Sequence, residues 1–404
     1  MSQSPSRGLN RHGGEVSQRH TVTIPARIQK RGFSRAPEWV NFVPMARILC
    51  TLFLWITASV CSAADEANIG LNSLIGKTEA LSLLTENSPW YICQEEYLSE
   101  AAQNAVIINL FDQLDHSAIP ENHRDQYITV KLPQITDLRA VLLKLDLKCP
   151  ASGLCDWWDK IATLGLKDPV SNTEIEIARY VTPYRVPMCT VTDITKLSPL
   201  LHGEVELHSF IDTYVGLGHE NGEGWYLSGE LWYFQEHGLE ESNVVEVINL
   251  LPLTKIPVSE LGQESAADNT LKYNFDLDAD IKKVEAHLIA TGHGFGFTNN
   301  CAEFCELTHT IEVNNTEYTV NQWRSDCEEN PISPQRGTWE YARNGWCPGA
   351  ISVGNIVDIS DAIRPGKNNL AIKIRSLNYE DYLNLEEGEG ELIEQLSLKL
   401  YLYE

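Results

Sequence analysis

Glu303 lies midway between two cysteines in GFTNNCAEFCELTH, residues 296–309. Cys301 and Cys305 are four positions apart, a spacing open to metal ligands, a redox couple or a structural staple. Along an extended strand that interval spans about 13 Å, whereas a disulfide needs Cα atoms roughly 4.4–6.8 Å apart. A bond between them demands a tight loop with Glu303 at its apex. The metal reading draws on His309, at the same interval beyond Cys305. Against it, THTIEV reads as a strand, and zinc sites add a second ligand pair. These residues favour the staple and leave the other two readings open.

Three further stretches carry chemistry. KCPASGLCDWWDK, residues 148–160, places Cys149 and Cys155 across a Pro-Ala-Ser-Gly turn, favouring a short disulfide loop. Asp156 and Asp159 then flank Trp157 and Trp158. Indole faces stack on sugar rings, and acids bond hydroxyls or move protons; taken alone, packed tryptophans with solvated acids explain the stretch as well. GTWEYARNGWCPG, residues 337–349, sets Arg343 and Trp346 in a Gly-rich loop suited to a polar ligand or simply to a stapled turn. FIDTYVGLG, residues 210–218, buries Asp212 in an apolar run beside Tyr214, and buried carboxylates usually have a task.

The redox compartment decides how the cysteines are read. Residues 45–64, MARILCTLFLWITASVCSAA, have one arginine after a methionine, an apolar run and a small-residue end. That is the pattern of a secretory signal peptide cleaved after Ala63 or Ala64, and it is short for a membrane span. We expect Met45 to be the start and residues 1–44 a mis-called upstream extension, the alternative being a cytoplasmic leader with a single anchor. The expected location is secreted or periplasmic, free of the membrane after cleavage. Residues 1–64 hold eight Lys/Arg and two Asp/Glu, so a net charge of −25 becomes about −31 for the remainder. Such acidity argues against nucleic acid and anionic membrane as partners. Eight of the ten cysteines remain, an even count that suits four disulfides.

Period-two alternation dominates the rest. LLKLDLKC sets Leu143, Leu145 and Leu147 against Lys144, Asp146 and Lys148; LSLKLYLY, EIEIARYV and NLAIKIRS repeat it. Such runs predict half-buried antiparallel strands, and the Gly, Pro, Asn and Asp clusters between them predict turns. An internal echo links VTDITKLSPLLHGEVELHSF (191–210) to IVDISDAIRPGKNNLAIKIRS (356–376): an Asp-Ile-Thr/Ser step, a proline, a glycine, then a strand. The spacing predicts two sandwiches of similar plan. The domain reading is a polar lead-in over 65–105, a first sandwich over 106–236 and a second over 243–404, joined at the acidic FQEHGLEESN.

CDWWD, IARYVTPYRV, TGHGFG, NNCAEFCELTHTI and RNGWCPG together resemble the peptide-N-glycosidase F family, bacterial secreted amidases that remove asparagine-linked glycans. The resemblance covers residues 106–350 and, more loosely, the C-terminal strands. It implies an all-β fold of two side-by-side eight-stranded antiparallel jelly-roll sandwiches with the active site in the cleft between them. It also implies catalytic roles for Asp159 and Glu303 and places Trp158, Arg343 and Trp346 in the site. The chain departs from the family at Asp212 (a third active-site glutamate), at Lys160 (an arginine) and at His293 and Phe295. We take Asp212 as a third catalytic candidate, and Lys160, Tyr214, His293 and Phe304 as further substrate-binding ones. The family pairing carries over as Cys149–Cys155, Cys301–Cys305 and Cys327–Cys347, leaving Cys93 with Cys189.

The implied reaction hydrolyses the asparagine–GlcNAc amide, releasing a glycosylamine and leaving aspartate. Asp159 would be essential, Glu303 would orient the amide or its water, and Asp212 would tune Asp159 by like charge. Lys160 and Arg343 would hold Asp159 ionised and position the glycan; Trp158, Tyr214 and Trp346 would stack on sugars. The expected partners are N-linked glycoproteins or glycopeptides, with no cofactor, no metal and a monomeric enzyme. Two rivals follow. A glycan-binding protein without catalysis accommodates the Asp212 and His293 changes. A copper-dependent peptide-amidating monooxygenase shares the architecture, but it needs histidine clusters and a methionine. Here no histidines are adjacent or one apart, and Met188 is the single methionine after residue 64.

Overall fold

The computed structural model describes residue 90 and residues 92–168, 171–235, 243–257, 271–294, 302–376 and 393–404. The signal-like segment, the join at 236–242, Phe295 and Cys301 lie outside the described residues. Alternating Leu/Ile/Val runs fold into antiparallel strands throughout. One sheet has the order β1 (Ala105–His116), β8 (Trp225–Phe234), β3 (Ala140–Lys148), β6 (Met188–Asp193). A second runs β16 (Ala350–Ile351), β5 (Glu174–Val181), β4 (Ile161–Lys167), β7 (Gly203–Ile211), β2 (Asp125–Leu132). Their facing side chains, among them Leu143, Leu145, Leu164 and Trp225, form one core.

The other sandwich stacks β10 (Leu271–Leu277), β18 (Gly366–Ser376), β12 (Leu307–Val313), β13 (Thr316–Asn321) on β17 (Asn355–Asp358), β11 (Lys283–His293), β19 (Ile393–Tyr403), β9 (Val244–Pro257). Leu288, Ile311, Ile372 and Leu398 centre its separate core. Each sandwich has eight strands among the described residues, and β16 crosses from the later part of the chain to join the first, pairing Ala350 with Val181. A short ribbon of β14 (Trp323–Arg324) and β15 (Arg343–Asn344) stands apart. The echo is real at atomic level. After β6, Thr195 N–H donates to Asp193 Oδ1 (2.7 Å); after β17, Ser360 N–H donates to Asp358 Oδ1 (2.9 Å). The same Asx turn closes both.

β3 is half-buried, with Leu143, Leu145 and Leu147 inside and Lys148 in solvent. β19 is not. Its leucines are buried, and so are Gln395, Ser397 and Lys399 on the other face, each 1 % exposed. The first sandwich covers that face. Arg179 of β5 donates to the Gln395 carbonyl (2.6 Å) and to Thr291 Oγ1 (2.9 Å) of β11. It also grips Glu176 with two bonds, Nε–Oε1 at 2.7 Å and Nη2–Oε2 at 2.9 Å. The Ser397 hydroxyl completes Glu176, and Lys399 Nζ donates to the Glu176 carbonyl (2.6 Å). Burial alone would raise Glu176; Arg179 and Lys399 outweigh it and hold the carboxyl below its ordinary range. Burial conversely lowers Lys399 to about 8.

The described end of the lead-in is tied down as well. Helix α1 (Glu95–Ala102) packs on Leu142 and Trp232, and Cys93 is bonded to Cys189 at a Cα separation of 5.3 Å. Trp90 packs on the bonded Cys327–Cys347 pair beyond β14.

Replacing Glu176 by Gln leaves Arg179 and Lys399 buried without their anion. Breaking such a pair from one side costs about 3–5 kcal/mol. We expect Glu176→Gln to lower the denaturation midpoint accordingly, measured by urea unfolding followed by tryptophan fluorescence.

Candidate active site

Asp159 lies two residues before β4, Asp212 follows β7, and Thr182–Arg185 follow β5. Antiparallel pairing therefore delivers all three to one end of a single sheet, with Ile161 opposite Val181 and Ala162 opposite Ile211. Lys160 N–H donates to Thr182 Oγ1 (2.9 Å), and Thr182 N–H to the Lys160 carbonyl (2.8 Å). The loop before Asp159 is closed by Cys149–Cys155, Cα atoms 4.5 Å apart. Asp156 braces it from within: fully buried, it accepts from Trp158 N–H (3.0 Å) and the Thr213 hydroxyl (2.6 Å). Its carboxylate is structural, and that frees Trp158, 54 % exposed, to face solvent.

The second sandwich supplies Glu303. Ala302 has φ 74, a left-handed backbone in a fully buried non-glycine residue, which costs on the order of 1 kcal/mol and marks a held turn. Gly292 makes the hold possible: a Cβ there would meet the Ala302 carbonyl oxygen at 2.0 Å. Glu303 N–H donates to the Gly294 carbonyl (3.3 Å), and the Glu303 carbonyl accepts from Asn344 N–H (2.8 Å). Of the glycines of TGHG, Gly292 permits this close approach and Gly294 adopts a positive φ of 99. Cys305 is disulfide-bonded, so it is not a thiolate ligand, and its expected partner Cys301 lies outside the described residues. His309, the third member of the metal spacing, is buried on β12 and bonded to Glu394 at 3.0 Å.

Arg343 joins the halves. Its Nε donates to Glu303 Oε1 (3.0 Å), Nη1 to the Tyr341 carbonyl (2.7 Å), and Nη2 to the Thr338 carbonyl (2.7 Å) and hydroxyl (3.2 Å). Burial pushes Glu303 up to about 7, the charge of Asp159 pushes the same way, and Arg343 only partly offsets them. Asp159 is raised too, chiefly by desolvation, against Arg343, the Tyr184 hydroxyl and Lys160. Two carboxylates from different sandwiches thus interact in a water-poor site around one guanidinium.

The structure revises several expected roles. Arg343 is 0 % exposed with its donors engaged, so it acts on the carboxylates and not on a glycan. Trp346, 2 % exposed, donates Nε1–H to the Gly292 carbonyl (2.7 Å) and stacks under His293, ring centroids 5.4 Å apart. It is a floor and offers no face for stacking on sugars. His293 is buried, kept neutral by desolvation and by Arg179, and bonded to Thr291 Oγ1 (2.8 Å). Phe304 lies against Arg343 (5.0 Å) and, edge-on, Tyr341 (6.4 Å).

Asp212 faces Arg124 (Nη1–Oδ1, 3.4 Å) and bonds the Tyr214 hydroxyl. Its charge is taken up there, and the like-charge partner of Asp159 is Glu303 instead. Tyr214, 60 % exposed, lies between the cations of Lys160 (5.0 Å) and Arg124 (5.2 Å). Sequence reading singled out IARYVTPYRV but no residue within it for the site. Tyr184, whose hydroxyl bonds Asp159 and Thr338 (3.2 Å), is the one it missed. Counting the β4–β5 register back from its turn would have found it.

A family model described as peptide-N-glycosidase F, C terminal, matches residues 263–385. Peptide-N(4)-(N-acetyl-beta-D-glucosaminyl)asparagine amidase F of Elizabethkingia miricola is 28 % identical over 273 residues, covering 64 % of this chain and 74 % of that protein. The crystal structure of peptide-N(4)-(N-acetyl-beta-D-glucosaminyl)asparagine amidase aligns with TM-score 0.59 at 22 % identity over 74 % of this chain and 96 % of that one. The structure of PNGase F from Flavobacterium meningosepticum gives 0.58 at 21 % over the same shares, and PNGF-II gives 0.57 at 19 % over 76 % and 67 %.

Because the Glu303 carboxyl is raised from 4.5 to about 7, folded protein holds a proton there that unfolded chain releases. Its contribution to stability is complete below the unfolded value and is lost as pH rises toward 7. Glutamine does not titrate. Relative to the parent, Glu303→Gln should gain up to about 3 kcal/mol between pH 4.5 and 7.5, read from denaturation midpoints across that range. A pH-independent difference would refute the assigned shift.

Proposed function

We propose, for this member of the peptide-N-glycosidase F family, that the chain hydrolyses the asparagine–GlcNAc amide of N-glycoproteins and glycopeptides as an exported, monomeric enzyme without a cofactor. The observation that supports this best is the Asp159–Glu303 pair: two interacting carboxylates, one near neutrality, beside exposed aromatic faces. Amide hydrolysis needs a base for water and an acid for the leaving nitrogen, and a pair split by environment can supply both. The signal-like segment and the bonded cysteines support export.

Asp159, whose anion the Tyr184 hydroxyl, Arg343 and Lys160 favour against its burial, takes a proton from water when ionised. The water oxygen bonds to the side-chain amide carbon. Glu303, whose Oε1 is occupied by Arg343, gives the proton on its other oxygen to the amide nitrogen. The C–N bond breaks, a glycosylamine leaves, and aspartate remains. The proton then passes from Asp159 back to Glu303 through solvent. Trp158 and Tyr214 are the exposed rings on which the first sugars stack.

Incubation with an N-glycopeptide should release oligosaccharide together with Asn-to-Asp conversion, both read by mass spectrometry. Asp159→Asn should lower the rate by about 10²–10⁴-fold. Tight glycan binding with no release by the parent protein would favour a binding protein and overturn the assignment. Because the acid form of Glu303 is the donor, kcat/KM should fall above about pH 7, following Glu303 at about 7. An activity flat to pH 9 would remove Glu303 from that role.

A further inference from the structure

Tyr184, the residue that bonds Asp159, is followed by Arg185, whose backbone lies at φ 60. Arg185 stacks its guanidinium on Trp157, Cζ 3.7 Å from the ring centre, and Trp157 remains 39 % exposed. Its Nε is buried with no hydrogen-bond partner, and among the described residues no carboxylate or carbonyl engages this side chain. That is an anomaly in a chain with 56 Asp and Glu against 31 Lys and Arg. Four guanidiniums of the molecule are engaged by carboxylates: Arg179 by Glu176, Arg324 by Asp326, Arg343 by Glu303, Arg124 by Asp212. A half-buried guanidinium, held on a strained backbone and flattened on an indole, is preorganised for a planar anion that the protein itself does not supply.

We propose that Arg185 and Trp157 form a subsite for a carboxylate that the substrate carries close to its scissile amide, on the flanking peptide or on the innermost sugars. The placement limits the distance. Arg185 adjoins Tyr184, and Trp157 is two residues from Asp159, so the platform lies at the rim of the reacting centre, out of reach of the tips of a long glycan. The inference rests on the amidase reading and adds a preference to it. Lys160 and Arg124 are partly neutralised by Asp212 and the Tyr214 ring, whereas Arg185 keeps a guanidinium open to a substrate anion.

Three synthetic glycopeptides test it: one neutral throughout, one with a glutamate beside the glycosylated asparagine, and one with a neutral peptide and a uronate in the inner glycan. The parent should favour one acidic substrate over the neutral one by about tenfold in kcat/KM, a charge-assisted contact's worth; which one identifies the source. Arg185→Asn, chosen because asparagine tolerates positive φ, should bring that ratio to one. Arg185→Lys should keep part of it, and Trp157→Leu should reduce it. The same ratios are read from the affinities of uncleaved glycopeptides, so an inactive enzyme still reports on the platform. Hydrolysis with no acidic preference, or a preference that survives Arg185→Asn, overturns the subsite and leaves the amidase reading standing. No hydrolysis with an Arg185-dependent binding preference does the reverse.

Discussion

A buried ion pair decides how the two halves of this protein meet. Glu176 and Arg179 lie on one strand of the first sandwich, yet half of Arg179's bonds go to the second, at Thr291 and the Gln395 carbonyl. Lys399 and Ser397 return the contact by bonding Glu176. An apolar interface of the same area would allow sliding; directional bonds to a charged centre, each strengthened by exclusion of water, fix a single docking. The candidate site depends on it, because Asp159 and Glu303 belong to different sandwiches and interact only in that docking.

Within the cleft, competing effects set the protonation of the pair. Burial disfavours both anions, and their mutual repulsion adds to it for Glu303. One guanidinium opposes this, but Arg343 divides its donors among a carboxylate and the Thr338 and Tyr341 backbone. It stabilises each carboxylate without ionising both fully. Asp159 has additional help from Tyr184 and Lys160, the asymmetry on which the proposed division into base and acid draws. The strained Ala302 turn and the bare Gly292 are the structural costs of bringing Glu303 so close to β11.

Much of the fold was legible. β3 follows its alternation from Leu143 to Lys148, and the Asp-Ile-Thr/Ser echo marks the same Asx turn in both sandwiches. Alternation misled at β19 and β5, where the polar face is also buried. A strand cannot reveal that a second body covers its hydrophilic side; Lys399 reads as solvent-facing until Glu176 is seen above it. The site showed a similar split. Trp158 and Tyr214 present exposed rings, whereas Trp346 and Arg343 are walls and supports, since a Gly-rich loop reads the same whether it opens to a ligand or folds onto β11.

The sequence by itself determined the strands, the turns and the stapled Cys149–Cys155 loop, because periodicity, breaker residues and cysteine spacing act over short separations. Tertiary structure alone decided which carboxylates work together. Asp212 and Asp159 are near in one sheet, but Arg124 claims the first, and 144 positions of chain separate Asp159 from the glutamate that shares its field. Long-range docking and the exclusion of water leave no local trace, and they raise two ordinary acids together above the usual carboxylate range.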